Sequence, residues 1–409
     1  MHKRNNIKKV ILVSDILTYK NQASLDFEEA YLSTKLPPII KWAGGKENEL
    51  KYIIPNLPAN IERFFDPFVG GGSVFLSVRS EKKFINDKSS ELINLYKVIS
   101  SNNNQDFIDV LDKIDHNWKV LEVIVDKNRP FFLNIYNDYT KGIINQLKLK
   151  NIIYEFIVRN AEQFNGLFTA IFNMNIENFL HELNRNLTNK ILRMKTIGMQ
   201  KGKLSINDIL LNIETSLKSA FYMHFRHIYN NYDKYKITDN FKAAIFFFIH
   251  NNAYSGMFRY NGKGAFNVPY GGINYNRKNF TKKISYFKSY ELKSGFSNTV
   301  IDNLDFEVFL DKYKPYKSDF IFLDPPYDSE FSTYTKNVFT RDDQKRLAYY
   351  LINKCNANWM LIIKKTEYIS KLYNCDGLNI QSFEKKYLVS FMNRNDKNAE
   401  HLLITNYRC

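Results

Sequence analysis

The stretch Asp319-Phe320-Ile321-Phe322-Leu323-Asp324-Pro325-Pro326-Tyr327 decides how this 409-residue chain is read. Residues 319–323 have the length and apolar content of a buried strand, and the prolines stop it. A strand ending there delivers Asp324 and the ring of Tyr327 to the carboxyl edge of a sheet, where open α/β sheets bind ligands. Consecutive prolines fix φ and remove two N–H donors, so the Pro325 carbonyl and the Asp324 carboxylate project as acceptors from a stiff loop. Two acceptors beside a flat ring suit an exocyclic amine on a planar base. A strand-ending turn with a solvated Asp has the same spelling, so the rest of the chain has to decide.

Toward the amino terminus stands Ile61-Glu62-Arg63-Phe64-Phe65-Asp66-Pro67-Phe68-Val69-Gly70-Gly71-Gly72-Ser73, followed by Val74, Phe75, Leu76 and Val78. An apolar strand, an acid, a glycine loop and a helical apolar pattern describe the strand-loop-helix unit that opens a nucleotide-binding α/β sheet. The G-x-G-x-x-G spacing is absent, as is the G-K-[ST] of a phosphate-binding loop. An acidic loop without a phosphate-seeking lysine favours a ligand with an amine and a ribose but no phosphates, and S-adenosylmethionine is such a ligand. Phe84-Ile85-Asn86-Asp87 reads as a second strand. Asp87 then either meets ribose hydroxyls or caps the next helix, whose buried face is Leu92, Ile93, Leu95, Tyr96 and Ile99. Upstream, Ile39-Ile40-Lys41-Trp42-Ala43-Gly44-Gly45-Lys46 sets glycines that permit close backbone approach between lysines and a Trp, before a helix around residues 48–54.

The middle of the chain is different. From about residue 100 to 278, Asn- and Lys-rich amphipathic stretches replace the strand-Gly-helix rhythm and read as a mostly helical insertion. It ends with Tyr254, Arg259, Tyr260, Asn261, Gly262 and Lys263, where Asn-Gly between aromatic flanks is a hairpin signal. Arg259, Asn261 and Lys263 beside the tyrosines offer base-edge donors, phosphate contacts and stacking groups together. The sheet pattern resumes at Val300-Ile301-Asp302, and Asp305-Phe306 at its end can hydrogen-bond and pack against a purine. Trp359-Met360-Leu361-Ile362-Ile363 is a further buried strand. Tyr387-Leu388-Val389 and His401-Leu402-Leu403-Ile404 flank a polar link and read as a terminal antiparallel hairpin.

Composition bounds these readings. With 58 Lys+Arg against 42 Asp+Glu the formal charge is +16, which suits a polyanionic partner. Cys355, Cys375 and Cys409 lack C-x-x-C spacing, so neither a disulfide framework nor a metal site is indicated, and a reducing cytoplasm fits. The apolar stretch over residues 10–17 is broken by Ser14 and Asp15, so no signal peptide and no membrane span are expected.

With these segments quoted, the chain resembles the Dam-like, D12-class (alpha-group) DNA adenine-N6 methyltransferases. The resemblance rests on residues 41–46, 66–73, Asp87 with residues 92–96, Arg259-Tyr260-Asn261 with residues 264–271, and residues 324–327, in that order. It implies an α/β fold, a Rossmann-like S-adenosylmethionine-dependent methyltransferase sheet carrying an inserted, mostly helical target-recognition domain. The expected division is an extension over 1–35, a catalytic domain over 36–100 and 279–409, and a DNA-recognition insertion over 101–278 ending in a β-hairpin. Carried over residue by residue, Asp324, Pro325 and Tyr327 are catalytic. Trp42, Lys46, Asp66, Gly70, Gly72, Asp87, Asp305, Phe306 and Asp324 line the cofactor site. Lys41, Tyr254, Arg259, Asn261 and Lys263 lie on the side of double-stranded DNA. A bacterial or phage-encoded cytoplasmic enzyme is expected, with a cognate restriction endonuclease as a functional partner. Three other readings were weighed: an N4-cytosine methyltransferase, whose amine fits the same two acceptors; a dinucleotide-dependent oxidoreductase, opposed by the missing G-x-G-x-x-G; and a DNA-binding protein without catalysis, opposed by intact Asp324, Pro325 and Tyr327.

Overall fold

The computed structural model describes residues 36–165, 174–327, 339–386 and 398–408. The sequence readings of residues 1–35 and of Tyr387, Leu388 and Val389 lie outside the described residues. The strands β1 (Arg63–Asp66), β2 (Lys82–Asn86), β3 (Thr299–Asp302), β4 (Phe320–Leu323), β5 (Asn358–Lys364), β6 (Asn379–Lys386) and β7 (Asn398–Thr405) form one sheet in the order β3-β2-β1-β4-β5-β7-β6. The five from β3 to β5 are parallel, and β7 runs antiparallel between β5 and β6. Strand order reverses between β1 and β4, so the crevice of this doubly wound sheet opens at Asp66 and Asp324. At the opposite end of these strands the Arg63 guanidinium clasps the buried Asp319 carboxylate, Nε to Oδ1 at 2.9 Å, and fixes their register.

Side-chain alternation splits the strands between two cores. Phe64, Phe320, Phe322, Met360 and Ile362 enter one, while Phe65, Ile321, Leu323, Trp359, Leu361 and Ile363 enter the other. With both faces covered, the central strands read as unbroken apolar runs. A terminal antiparallel hairpin forms, and among the described residues it consists of β6 and β7. Ile380 of β6 is half exposed and Phe383 is the strand's other apolar residue, three positions on, which leaves no alternating pattern to read.

Helices α1 (Ser90–Ser100), α2 (Gln105–Lys127), α3 (Ile176–Lys201), α4 (Ile206–Asn230) and α5 (Asp239–Asn252) make the region between β2 and β3 mostly helical, as expected. α5 packs on α1 and α2, and one continuous core runs from Phe64 and Phe320 on the sheet to Trp118, Phe221 and Phe248 in the helices. At its heart the buried Lys218 ammonium donates to Glu214 at 2.8 Å and to the Asn276 carbonyl at 2.7 Å. That contact pins the chain leaving the helical region onto α4.

Two local expectations change. No regular helix follows the glycine loop; residues 73–77 form turns closed by Leu76 N–H to Gly72 and Val78 N–H to Val74, both at 3.0 Å. The chain does reverse at Asn261, yet only isolated antiparallel bridges form, Ala253 with Tyr270 and Tyr260 with Phe266. The Asn261 side-chain oxygen accepts from the N–H groups of Lys263 and Ala265 at 3.0 Å, and Gly264 takes the left-handed conformation (φ +75°). The Asx turn therefore widens the loop beyond a two-residue Asn-Gly turn. Among the described residues no helix is long and apolar enough to cross a membrane, and no group of three His, Cys, Asp or Glu side chains is placed to hold a metal ion.

Candidate active site

At the carboxyl ends of β1, β2 and β4 lies a cavity of about 330 Å3, lined by Trp42, Lys46, Asp66, Gly70, Gly72, Asp87, Asp305, Phe306, Asp324, Pro325 and Tyr327. Every residue that the sequence assigned to cofactor binding or catalysis thus faces one space. The glycine loop builds its floor. Gly70 and Gly72 have φ of +50° and +82°, and a Cβ on Gly72 would stand 2.4 Å from the Tyr96 hydroxyl. That hydroxyl donates to the Gly70 carbonyl at 2.9 Å. On the other side, Ile39 N–H donates to the Gly71 carbonyl at 3.0 Å, and a Cβ on Gly71 would meet the Ile40 carbonyl at 2.6 Å. The loop is held between Tyr96 of α1 and the segment carrying Trp42.

Asn86, at the end of β2, fastens three loops together. Its Nδ2 donates to the Pro67 and Leu304 carbonyls at 3.1 and 3.0 Å, and its Oδ1 accepts from Leu304 N–H at 2.8 Å. The sequence reading missed this role, because nothing local distinguishes a strand-end Asn with such long-range partners. Next to it, Asp87 accepts from Ser89 N–H at 2.9 Å and from Gly70 N–H at 3.2 Å. The cap of α1 is Ser89, whose hydroxyl accepts from Leu92 N–H at 3.3 Å. Asp87 therefore does not cap the helix; it ties the glycine loop to the start of α1.

The charges in the cavity are unequal. Lys46 is 3% exposed; its ammonium donates to the Gly44 carbonyl at 2.8 Å and to the Tyr327 hydroxyl at 3.0 Å, and pairs with the Asp324 carboxylate. Asp66, Asp87, Asp305 and Asp324 line the cavity with Lys46, and a second lysine of the lining, Lys88, has its ammonium 3.8 Å from Asp305. Burial holds the Asp66 carboxyl well above the usual range, against a hydrogen bond from Phe68 N–H, with the Asp324 and Asp87 charges adding and Lys46 opposing. Burial pushes Asp87 up to about 6, its backbone donors opposing. A ligand carrying positive charge favours the ionised forms of Asp66 and Asp87, and a polyphosphate would oppose them.

Asp305 caps α6 (Phe306–Tyr313) through Glu307 N–H at 3.1 Å and is paired with Arg346 at 3.1 Å. The same guanidinium lies 4.8 Å from the centroid of Phe306, so Arg346 backs both residues. Arg346 lies on α7 (Arg341–Tyr349) and was invisible to sequence reasoning because it is 41 residues from Asp305. Tyr327 packs edge-on against the buried His401 of β7, centroids 5.2 Å apart.

The DNA-side candidates lie outside the cavity lining. Lys41, Asn261 and Lys263 are exposed, and Tyr254 is 48% exposed. Arg259 is half-buried; its Nε donates to Asn267 Oδ1 at 2.9 Å, and among the described residues neither terminal guanidinium nitrogen has a hydrogen-bond partner. Because its oxygen closes the turn, Asn261 retains only its amide N–H groups for other contacts. Phe258 stacks on His250 at 3.7 Å and meets the Trp42 ring at 4.3 Å, joining this loop to the cavity wall. Burial pushes Lys278 and Lys283 down to about 8; the nearby Lys41 charge adds to this at both, while Glu47 opposes it at Lys283.

A doubly wound sheet with an antiparallel seventh strand and this cavity at its reversal point defines a Rossmann-like methyltransferase. The model of the D12 class N6 adenine-specific DNA methyltransferases matches residues 42–200 and 176–389, and the chain belongs to that family. Type II methyltransferase M.CviBI of Paramecium bursaria Chlorella virus NC1A is 25% identical over 380 residues, covering 91% of this chain and 100% of the relative. Type II methyltransferase M.MjaIII of Methanocaldococcus jannaschii is 26% identical over 391 residues, with the same coverage of 91% and 100%. The retron Ec67 DNA adenine methylase of Escherichia coli is 32% identical over 140 residues, 34% of this chain and 46% of the relative. The enzyme is an adenine-specific DNA methyltransferase, and the N4-cytosine reading is not favoured.

Proposed function

We propose that this enzyme transfers the methyl group of S-adenosylmethionine to N6 of an adenine flipped out of double-stranded DNA at a specific sequence. The observation that carries this reading is that residues 324–327 meet Asp66, Asp87 and Asp305 in one cavity, beside Lys46. S-adenosylmethionine bears a sulfonium and an ammonium, so the donor set fits it; when bound, it supplies an electrophilic methyl group. Asp66 and the glycine loop hold its methionine end, Asp87 its ribose, and Asp305 with Phe306 its adenine.

Adenine N6 is a poor nucleophile because its lone pair is delocalised into the ring. Hydrogen bonds from its N–H groups to Asp324 and the Pro325 carbonyl favour a pyramidal nitrogen and free the lone pair for in-line attack. Lys46 pairs with the Asp324 carboxylate and ties it to Tyr327. Tyr327, its hydroxyl held by Lys46 and its ring braced by His401, offers a face to the base. A paired base buries the amine in the duplex, so the base must leave the stack to reach the cavity. Positioning supplies most of the acceleration.

Residues 101–278 are the proposed target-recognition region, with Lys41, Tyr254, Arg259, Asn261 and Lys263 on the DNA. A role beside a cognate restriction endonuclease, in a cytoplasm, completes the proposal; the similarity to two relatives named Type II methyltransferases is consistent with the modification half of such a pair. The test is incubation of the purified chain with unmethylated DNA and labelled S-adenosylmethionine, followed by nucleoside analysis. N6-methyladenine is expected from the wild type and none from Asp324→Ala, which still binds DNA. Methylation near the wild-type rate by folded Asp324→Ala protein overturns the assigned mechanism.

A further inference from the structure

The stretch 324–327 cannot hold itself in place. Pro325 and Pro326 have no N–H to donate, so the aim of their carbonyls depends on what those carbonyls accept. Gln344, fully buried on α7, donates from Nε2 to the Pro326 carbonyl at 2.8 Å. The helix start that carries it is rigid: Thr340 and Asp343 form a reciprocal capping box, with Thr340 N–H to Asp343 Oδ2 at 2.8 Å and Asp343 N–H to Thr340 Oγ1 at 3.2 Å. Among the described residues, no donor reaches the neighbouring Pro325 carbonyl. The two prolines are thus treated differently, one carbonyl tethered and the other left for a ligand.

A second observation separates this contact from ordinary packing. The other end of the same amide, Gln344 Oε1, is buried and, among the described residues, has no hydrogen-bond partner. Turning the amide over would set two carbonyl oxygens against each other, so the chemistry fixes which end faces Pro326. A buried amide with one end unpaired is a costly choice for packing alone, and an apolar side chain of similar size would avoid the penalty.

We propose that Gln344 is a positioning residue for the methyl acceptor: by tethering the Pro326 carbonyl it keeps the Pro325 carbonyl and the Asp324 carboxylate convergent on the target amine. This rests on the reading of Asp324 and Pro325 as the acceptors of that amine. Gln344 touches neither base nor cofactor and acts through the loop. Loss of the tether lets residues 324–327 tilt, and a displacement of about 1 Å at a reacting group costs on the order of a hundredfold in rate.

The test uses the full-length enzyme on unmethylated genomic DNA, with Gln344→Met and Gln344→Leu beside the wild type. Both remove the donor and the unpaired oxygen; Gln344→Met keeps the length of the side chain, and Gln344→Leu shortens it. Each variant is expected to melt within a few degrees of the wild type. The turnover number should fall roughly ten- to a hundredfold, with KM for DNA and for S-adenosylmethionine within about twofold. A purely packing role predicts instead a lower Tm with an unchanged turnover number in the folded protein, and that result overturns the proposal. So does a loss confined to KM. Asp324→Ala, assayed in parallel, separates the two layers. If it is inactive while the Gln344 variants keep wild-type turnover, only the positioning role falls; if it is active, the reading of the acceptors falls first.

Discussion

Asp66 lies 2% exposed at the end of β1, with Asp324 and Asp87 near enough to disfavour its ionisation. Its carboxyl therefore titrates higher in the folded enzyme than in the unfolded chain, and Asp87 does so as well, at about 6. Over the interval between unfolded and folded values the native state binds more protons, so the ligand-free enzyme loses stability as pH rises through the folded values. Asp66→Asn keeps an oxygen for Phe68 N–H and removes the charge. It is expected to raise the Tm of the ligand-free protein more at pH 8 than at pH 4, while weakening S-adenosylmethionine at pH 8. Calorimetric melting at the two pH values checks this, and a gain no larger at pH 8 would count against a buried acid retained for a cationic ligand. Asp66, Asp324 and Tyr327 were legible in the sequence because each stands at or just past a strand end beside Pro. Asn86, Arg346 and Gln344 were not, because their roles consist entirely of remote partners.

At the scale of elements, the glycine loop depends on α1. The Tyr96 hydroxyl both bonds the Gly70 carbonyl and occupies the space that a Cβ on Gly72 would need. Gly72→Ala should destabilise the enzyme by about 1–3 kcal/mol through the clash and the left-handed backbone. Tyr96→Phe removes the oxygen that clashes but not the backbone strain. The double variant should therefore be more stable than the sum of the single losses, a coupling that a double-mutant cycle in urea measures. Strict additivity would show that Tyr96 and Gly72 do not share this space. The sequence disclosed the glycines and the helical stripe containing Tyr96 separately. Only packing brought the phenol of one onto the backbone of the other. The Asn261 loop is the converse case: its Asn-Gly spelling called for a tight turn, but a side-chain oxygen that can satisfy two N–H groups favours a wider one.

Across the whole molecule, a formal charge of +16 supplies many cations for DNA phosphates, so the task of any one arginine has to be told from its salt signature. Arg259 is oriented by Asn267 and held beside the Phe258–Trp42 contact. If it reads a base edge, Arg259→Ala should cost about 1–3 kcal/mol on the cognate site and little on random DNA, leaving the salt slope nearly unchanged. A phosphate contact would instead weaken both DNAs alike and reduce the slope by about one. The first pattern is expected; equal losses across a salt titration of cognate and random duplexes would assign Arg259 to the backbone. The sequence by itself marked β1 to β5 and β7 and the acids at the carboxyl ends of β1, β2 and β4, because periodicity and the φ limits of Pro and Gly act within a few positions. Only the tertiary structure decided that Lys46 would reach Tyr327 across 281 residues, that Ser89 and not Asp87 would cap α1, and that Gln344 would hold Pro326. Those contacts depend on which distant segments pack together, and a buried polar group takes whatever partner that packing provides.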